Sequence, residues 1–129
     1  ILFNFVTLND DAHLKNFSLI EKDGEYRLSP AYDLVNTSLQ LRDPQIFALK
    51  NGLFKEGTNK ADTHNIGYED FVEFGRRIGL NDRVIKQELK MFQEPDPKAI
   101  HLIEKSFLSE ELKKQYIVSY KYRCKMLTF

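Results

Sequence analysis

Residues 9–34 read N-D-D-A-H-L-K-N-F-S-L-I-E-K-D-G-E-Y-R-L-S-P-A-Y-D-L. At the centre, Lys22-Asp23-Gly24-Glu25 separates two strand-like runs, Phe17-Ser18-Leu19-Ile20 and Tyr26-Arg27-Leu28. Asp-Gly between such runs is a strong hairpin signal because Gly accepts positive φ, so a β-hairpin is predicted over 17–28. Pro30 cannot donate to a ladder and ends the second strand. A hairpin returns the chain to its starting end, which places the polar residues before Phe17 close to those after Leu28.

Working outward, Ile1-Leu2-Phe3-Asn4-Phe5-Val6 looks like the interior of an element, and Ile1 is not an initiator Met, so a fragment of a longer protein is expected. Downstream, Gln45–Lys50 (Q-I-F-A-L-K) reads as one more short strand before a polar loop rich in Gly, Asn and Lys. From residue 67 onward the pattern becomes helical. A helix over Tyr68–Ile78 has Glu69 and Asp70 in its first turn, Phe71, Phe74 and Ile78 on one face, and Gly79 as its stop. A second over Asp82–Gln93 aligns Ile85, Leu89 and Phe92, and a third over Pro97–Phe107 aligns Ile100, Ile103 and Phe107. The last, over Glu110–Leu127, is capped by Ser109 and aligns Ile117, Tyr120, Cys124 and Leu127. The expected fold is α+β, mainly helical, with a small hairpin-containing region packed on helices. It forms one domain over 1–129, divided into a loop-and-hairpin part (1–60) and a helical part (61–129).

Composition narrows the function classes. The chain has 129 residues, 42% hydrophobic and 29% charged, with 19 Lys+Arg against 19 Asp+Glu. These are ordinary globular values, and ten Phe and six Tyr supply a core. Zero net charge gives no global attraction to nucleic acid or anionic membrane. No run approaches the roughly 20 apolar residues of a membrane span, and a cytoplasmic protein is expected. The single Cys124 excludes an internal disulfide and a cysteine metal site, and reads as a small apolar residue on a buried helix face.

The chemistry lies in the opening stretch. Asp11 precedes Asn16 by five positions, and Asp33 lies 17 positions beyond Asn16 with the hairpin between. Phosphoryl transfer from ATP needs an acceptor that orients and deprotonates the attacking hydroxyl, plus oxygens that hold Mg²⁺ across the phosphates. Protein kinases arrange these groups in the same order. One Asp and one Asn amide oxygen suit a hard ion that keeps water and phosphate ligands.

The motifs N-D-D-A-H-L-K-N-F-S and L-S-P-A-Y-D-L together resemble the C-terminal kinase subdomain of the HipA-like serine/threonine kinases, the toxin component of bacterial toxin-antitoxin systems. A weaker likeness continues through Q-I-F-A-L-K, R-R-I-G-L and the helical C-terminus. The resemblance implies a kinase C-lobe-like fold in which the hairpin carries the catalytic and metal-binding loops. It implies Asp11 as catalytic base and Asn16 and Asp33 as Mg²⁺ ligands, with ATP as phosphate donor. His13 and Lys15 are assigned to nucleotide phosphates, while Tyr32 is either a core aromatic or a wall of the nucleotide pocket. The implied partners are a protein Ser/Thr substrate, a glutamyl-tRNA synthetase in the best-known members, and an antitoxin of HipB type through which DNA is met only indirectly. A kinase also needs an N-terminal lobe that covers the phosphates, so these residues alone are expected to be inactive.

Other polar residues read more plainly. Asp10 is a turn residue, since only one Asp of its pair has the spacing of five. His64 and His101 lack ligands at metal spacing. Lys113, Lys114, Lys121, Arg123 and Lys125 make the last helix basic, read chiefly as a solvated face that complements its C-terminus. The alternative function is a non-catalytic kinase-fold module that binds an antitoxin or other protein through this helical face.

Overall fold

A computed structural model describes residues 1–41, 46–47, 52–54 and 66–129. The apolar opening forms a short helix, α1 (Leu2–Val6), which buries Phe5 and Val6. It ends at Leu8, whose φ is 60°. There the Leu8 N–H reaches the Phe5 carbonyl at 3.4 Å and the Asn9 N–H reaches the Asn4 carbonyl at 2.9 Å. Such a helix end normally takes Gly at the left-handed position, because a Cβ crowds the next carbonyl there. Leu8 is nevertheless 6% exposed. Burying a Leu gains roughly 1.5–3 kcal/mol, which offsets a left-handed penalty of about 1–2 kcal/mol. The turn sends the chain from the core into the polar loop at 9–16.

The hairpin forms within its expected limits. Strands β1 (Leu19–Lys22) and β2 (Glu25–Leu28) pair antiparallel, with Leu19 opposite Leu28 and Lys22 opposite Glu25. Asp23 (φ 57°) and Gly24 (φ 77°) both adopt positive φ, as the tight turn favoured by strand twist requires. The open end is tied by the Ser29 N–H to the Ser18 carbonyl at 2.8 Å and by the Ser18 and Ser29 hydroxyls at 3.0 Å. The expectation that this region packs on helices is corrected: every residue of both strands is exposed. By the register, one face carries Leu19, Tyr26 and Leu28 beside Glu21, and the other carries Lys22, Glu25 and Arg27 beside Ile20, a face charged enough to stay in water. The first face is mostly apolar, yet Leu19, Tyr26 and Leu28 are all exposed, so no described helix covers it.

The strand expected over 45–50 lies mostly outside the described residues, as does His64. Ile46 and Phe47, which are described, belong to no strand, and the Phe47 ring stacks 6.0 Å from Phe5.

Four helices follow. In α2 (Tyr68–Arg77) the Asp70 carboxylate accepts the Gly67 N–H at 3.0 Å, and Gly79 (φ 85°) closes the C-terminal turn. Helix α3 (Asp82–Lys90) is capped by the Asn81 amide oxygen, which accepts the Val84 N–H at 3.0 Å, and ends short of the expected Gln93. Helix α4 (Pro97–Lys105) starts at the Asp96 cap and also ends early, because Ser106 turns extended and its hydroxyl donates to the Ile103 carbonyl at 2.7 Å. Phe107 is therefore fully exposed instead of sharing a stripe with Ile100 and Ile103. Helix α5 (Glu110–Met126) begins at Ser109, whose hydroxyl accepts the Leu112 N–H at 3.3 Å.

The core joins α1, α2, α3 and α5 through Phe5, Ile66, Phe71, Leu89, Cys124 and Leu127. Phe5 meets Phe71 edge-on at 5.0 Å, a favoured geometry for aromatic pairs. Cys124 is buried, and burial pushes its thiol pKa up, which suits a packing residue. Among the described residues no helix is long and apolar enough to cross a membrane. The architecture is α+β and mainly helical.

Gly75 sets the approach of α2 to α3. A Cβ placed there would lie 2.7 Å from Ile85 Cγ1 and 2.9 Å from Cδ1. Gly75→Val is expected to lower unfolding free energy by about 2 kcal/mol, visible as a drop in denaturant midpoint. An unchanged midpoint would show that this contact does not limit the helix packing.

Candidate functional site

Two loops meet at the open end of the hairpin. The first, 9–16, leaves the Leu8 turn and closes in a single 3₁₀ turn, Leu14–Asn16. The second, 29–38, leaves β2 at Ser29 and runs to the 3₁₀ turn Ser38–Gln40.

The loops are joined by a set of polar bonds. The Asn9 amide nitrogen donates to the Asp33 carbonyl at 2.8 Å, while the Asn9 amide oxygen accepts the Asp11 N–H at 3.3 Å. The Asp10 N–H donates to Thr37 Oγ1 at 2.9 Å, and the Ser38 hydroxyl donates to Asp10 Oδ2. The Leu8 carbonyl accepts both the Thr37 and Ser38 N–H groups, at 3.1 and 3.4 Å. Tyr32 donates its hydroxyl to the Lys15 carbonyl at 3.0 Å. Asp33 itself sits at φ 55°, a left-handed conformation that Asp tolerates better than most residues.

Within this frame the sequence-derived residues fall into three groups. Asn16 and Asp33 come together, the Asn16 amide nitrogen donating to Asp33 Oδ2. Asp11 is exposed, and His13 Nε2 lies 3.0 Å from Asp11 Oδ1. Lys15 is exposed on the 3₁₀ turn, held by its backbone rather than by its side chain. Tyr32 is exposed, so the core-aromatic reading is corrected: its hydroxyl braces the Lys15 turn and its ring lines a cavity of about 410 Å³. Asn9, Ala12, Asn16, Phe17 and Asp33 line the same cavity, whose size is within the range of small-molecule sites.

One atom in this cavity wall indicates what it could hold. Asn16 Oδ1 is buried and has no hydrogen-bond partner among the described residues. A buried polar atom is ordinarily satisfied. The Asn16 amide nitrogen meets the Asp33 carboxylate, and an amide oxygen with a carboxylate are ligand types that fit a hard divalent cation such as Mg²⁺ once the amide turns its oxygen to the ion in place of the Asn16–Asp33 bond. No group of three or more His, Cys, Asp or Glu side chains gathers among the described residues, so a denser metal cage is not offered there.

The sequence makes Asp10 a turn residue and Arg123 part of a solvated helix face. Both are corrected. The Asp10 side chain is 1% exposed and the Arg123 side chain 10%, with Arg123 Nη2 3.7 Å from Asp10 Oδ1. Burial pushes the Asp10 pKa up, against the Ser38 hydroxyl and the Arg123 charge, which pull it down. Burial likewise pushes the Arg123 pKa down, opposed by the Asp10 charge. The signal available in the sequence was helical phase: Arg123 follows Tyr120 by three and precedes Leu127 by four, which places it on the apolar stripe of α5.

Residues 1–99 match the family model for the HipA-like C-terminal domain. A Haemophilus influenzae protein named "Putative kinase" is 34% identical over 122 aligned positions, covering 85% of this chain and 35% of that protein. The chain therefore spans about a third of the length of this relative.

The two neighbouring aspartates should respond unequally to neutralisation. Asp10→Asn leaves Arg123 buried without its counter-charge and is expected to cost about 3 kcal/mol of unfolding free energy. Asp11→Asn, at an exposed position, is expected to stay within about 0.5 kcal/mol of the parent. Denaturant unfolding of both variants checks this, and equal losses would refute the assignment of Asp10 as the buried anchor.

Proposed function

The chain belongs to the family of HipA-like C-terminal domains, and we propose that it is the catalytic-loop portion of a longer protein kinase that transfers the ATP γ-phosphate to a protein Ser or Thr hydroxyl. One observation carries the reading. Asn16 and Asp33, 17 positions apart, meet across the hairpin, and the Asn16 amide oxygen is left buried without a partner. Kinase membership of the family is also supported by the name of the Haemophilus influenzae relative.

In this reading Asn16 and Asp33 hold Mg²⁺, which when bound neutralises charge on the nucleotide phosphates. Asp11 receives the proton of the attacking hydroxyl. As that hydroxyl oxygen bonds to the γ-phosphorus, the bond from phosphorus to the bridging oxygen breaks and ADP leaves. His13, 3.0 Å from Asp11, orients the carboxylate and presents its ring to the phosphates together with Lys15. Tyr32 keeps the Lys15 turn in place. The lobe that covers ATP belongs to the remainder of the longer protein, with this chain as its C-lobe-like part. The sequence resemblance extends the proposal to a toxin of the cytoplasm, countered by a HipB-type antitoxin and directed at a glutamyl-tRNA synthetase.

The test uses the full-length protein with labelled ATP and Mg²⁺. Asp11→Asn is expected to reduce phosphate transfer about 10²–10⁴-fold. Asp33→Asn is expected to raise the Mg²⁺ concentration for half-maximal rate by roughly tenfold or more. Full activity and unchanged Mg²⁺ dependence in both variants would overturn the reading.

A further inference from the structure

The family match stops at residue 99, yet α5, which lies wholly beyond it, reaches under the loop that carries Asp11. We propose that α5 positions this loop through Arg123, making Arg123 a positioning residue for phosphoryl transfer. The inference rests on the kinase reading above.

Arg123 brackets the left-handed turn at Leu8. On one side its Nη1 donates to the Phe5 carbonyl at 3.5 Å, and its guanidinium carbon lies 4.8 Å from the centre of the Phe5 ring. On the other side Nη2 faces Asp10 Oδ1 at 3.7 Å. Tyr116, two turns earlier on α5, adds a hydroxyl bond to the Thr7 carbonyl at 3.3 Å. Helix α5 therefore touches the chain before, within and after the turn that launches the loop.

The use of charge at this place is informative. A buried ion pair contributes little net stability, and an apolar pair of similar volume often serves as well or better. What an ion pair adds is direction. Asp10 Oδ1 has no hydrogen-bond partner among the described residues, so Arg123 supplies the opposing charge, while Ser38 and Thr37 fix Oδ2 and the Asp10 N–H. With Asp10 held on three sides and the Asp11 N–H bonded to Asn9 Oδ1 at 3.3 Å, the peptide unit that joins Asp10 to Asp11 is held from both ends, and the Asp11 side chain is exposed. A displacement of about 1 Å in a reacting group can cost on the order of 10²-fold in rate.

The experiment is steady-state phosphate transfer by the full-length protein carrying Arg123→Met, Arg123→Lys or the double change Asp10→Asn with Arg123→Met, beside Asp11→Asn. Positioning predicts a kcat roughly 10–100-fold lower in Arg123→Met with the KM for ATP within about twofold. Arg123→Lys is expected to recover part of kcat. The double variant removes both charges and so leaves no unpaired ion, and it is expected to fold while kcat stays low. A double variant at full kcat, beside an inactive Asp11→Asn, would overturn this inference alone. Full activity in Asp11→Asn would remove the kinase reading and this inference with it.

Discussion

A carboxylate taken out of water must be given a charge or hydrogen-bond donors in return, and Asp10 is where this chain meets that requirement. Arg123 on α5 and the neighbours Thr37 and Ser38 on the loop after the hairpin surround it. Because those three are themselves fixed, on α5 and on the loop after the hairpin, satisfying one buried carboxylate sets the relative position of three segments. Everything at the candidate site lies within a few residues of this junction. Asp11 follows Asp10 directly, Asn9 precedes it and reaches Asp33, and the 3₁₀ turn that carries Asn16 closes the same loop.

The tripeptide Asn9-Asp10-Asp11 divides its work by direction. Asn9 spans sideways to the Asp33 backbone, Asp10 points into the core, and Asp11 points to solvent. Three successive polar side chains of similar length thus serve as staple, anchor and exposed carboxylate, the last of them the proposed base. Such a division is what a preorganised site requires, since groups that react must stay accessible while those that hold them stay immobile. The left-handed residues at both ends, Leu8 and Asp33, are consistent with it. Each is held in an unfavoured conformation by bonds from the opposite loop: Leu8 by the Thr37 and Ser38 N–H groups, Asp33 by Asn9.

What the sequence disclosed follows from the range of each interaction. The hairpin's turn depends on the adjacent Asp23 and Gly24, and the hairpin forms where their turn chemistry places it. The helix starts were legible for the same reason, because Asn81, Asp96 and Ser109 cap with their own side chains. The ends of α3 and α4 were not. An apolar stripe continues in the sequence past Lys105, but at Ser106 the backbone turns extended, leaving Phe107 in solvent. Exposure of both hairpin faces was also illegible, since alternation shows what could be buried and not whether a partner surface exists. The pairing of Asn16 with Asp33 was legible through the hairpin that joins them. The anchoring by Arg123 was not, because its partner Phe5 is 118 positions away, and only the helical phase of Arg123 hinted at a buried place.

These ranges impose an order on how the site is completed. The bonds between loops 9–16 and 29–38 close short segments, which the hairpin has already brought near, so their entropic cost is small. Arg123 joins the first helix to the last, and its contacts can form only once α5 has docked on α1 through Cys124 and Leu127. The local geometry of Asn16 and Asp33 therefore depends on the hairpin, whereas the orientation of Asp11 depends on the packing of the chain's two ends. A perturbation remote from the loop, in the seam between α1 and α5, reaches the carboxylate proposed as base through Asp10, and reaches Asp33 only one step further, through Asn9, Thr37 and Ser38.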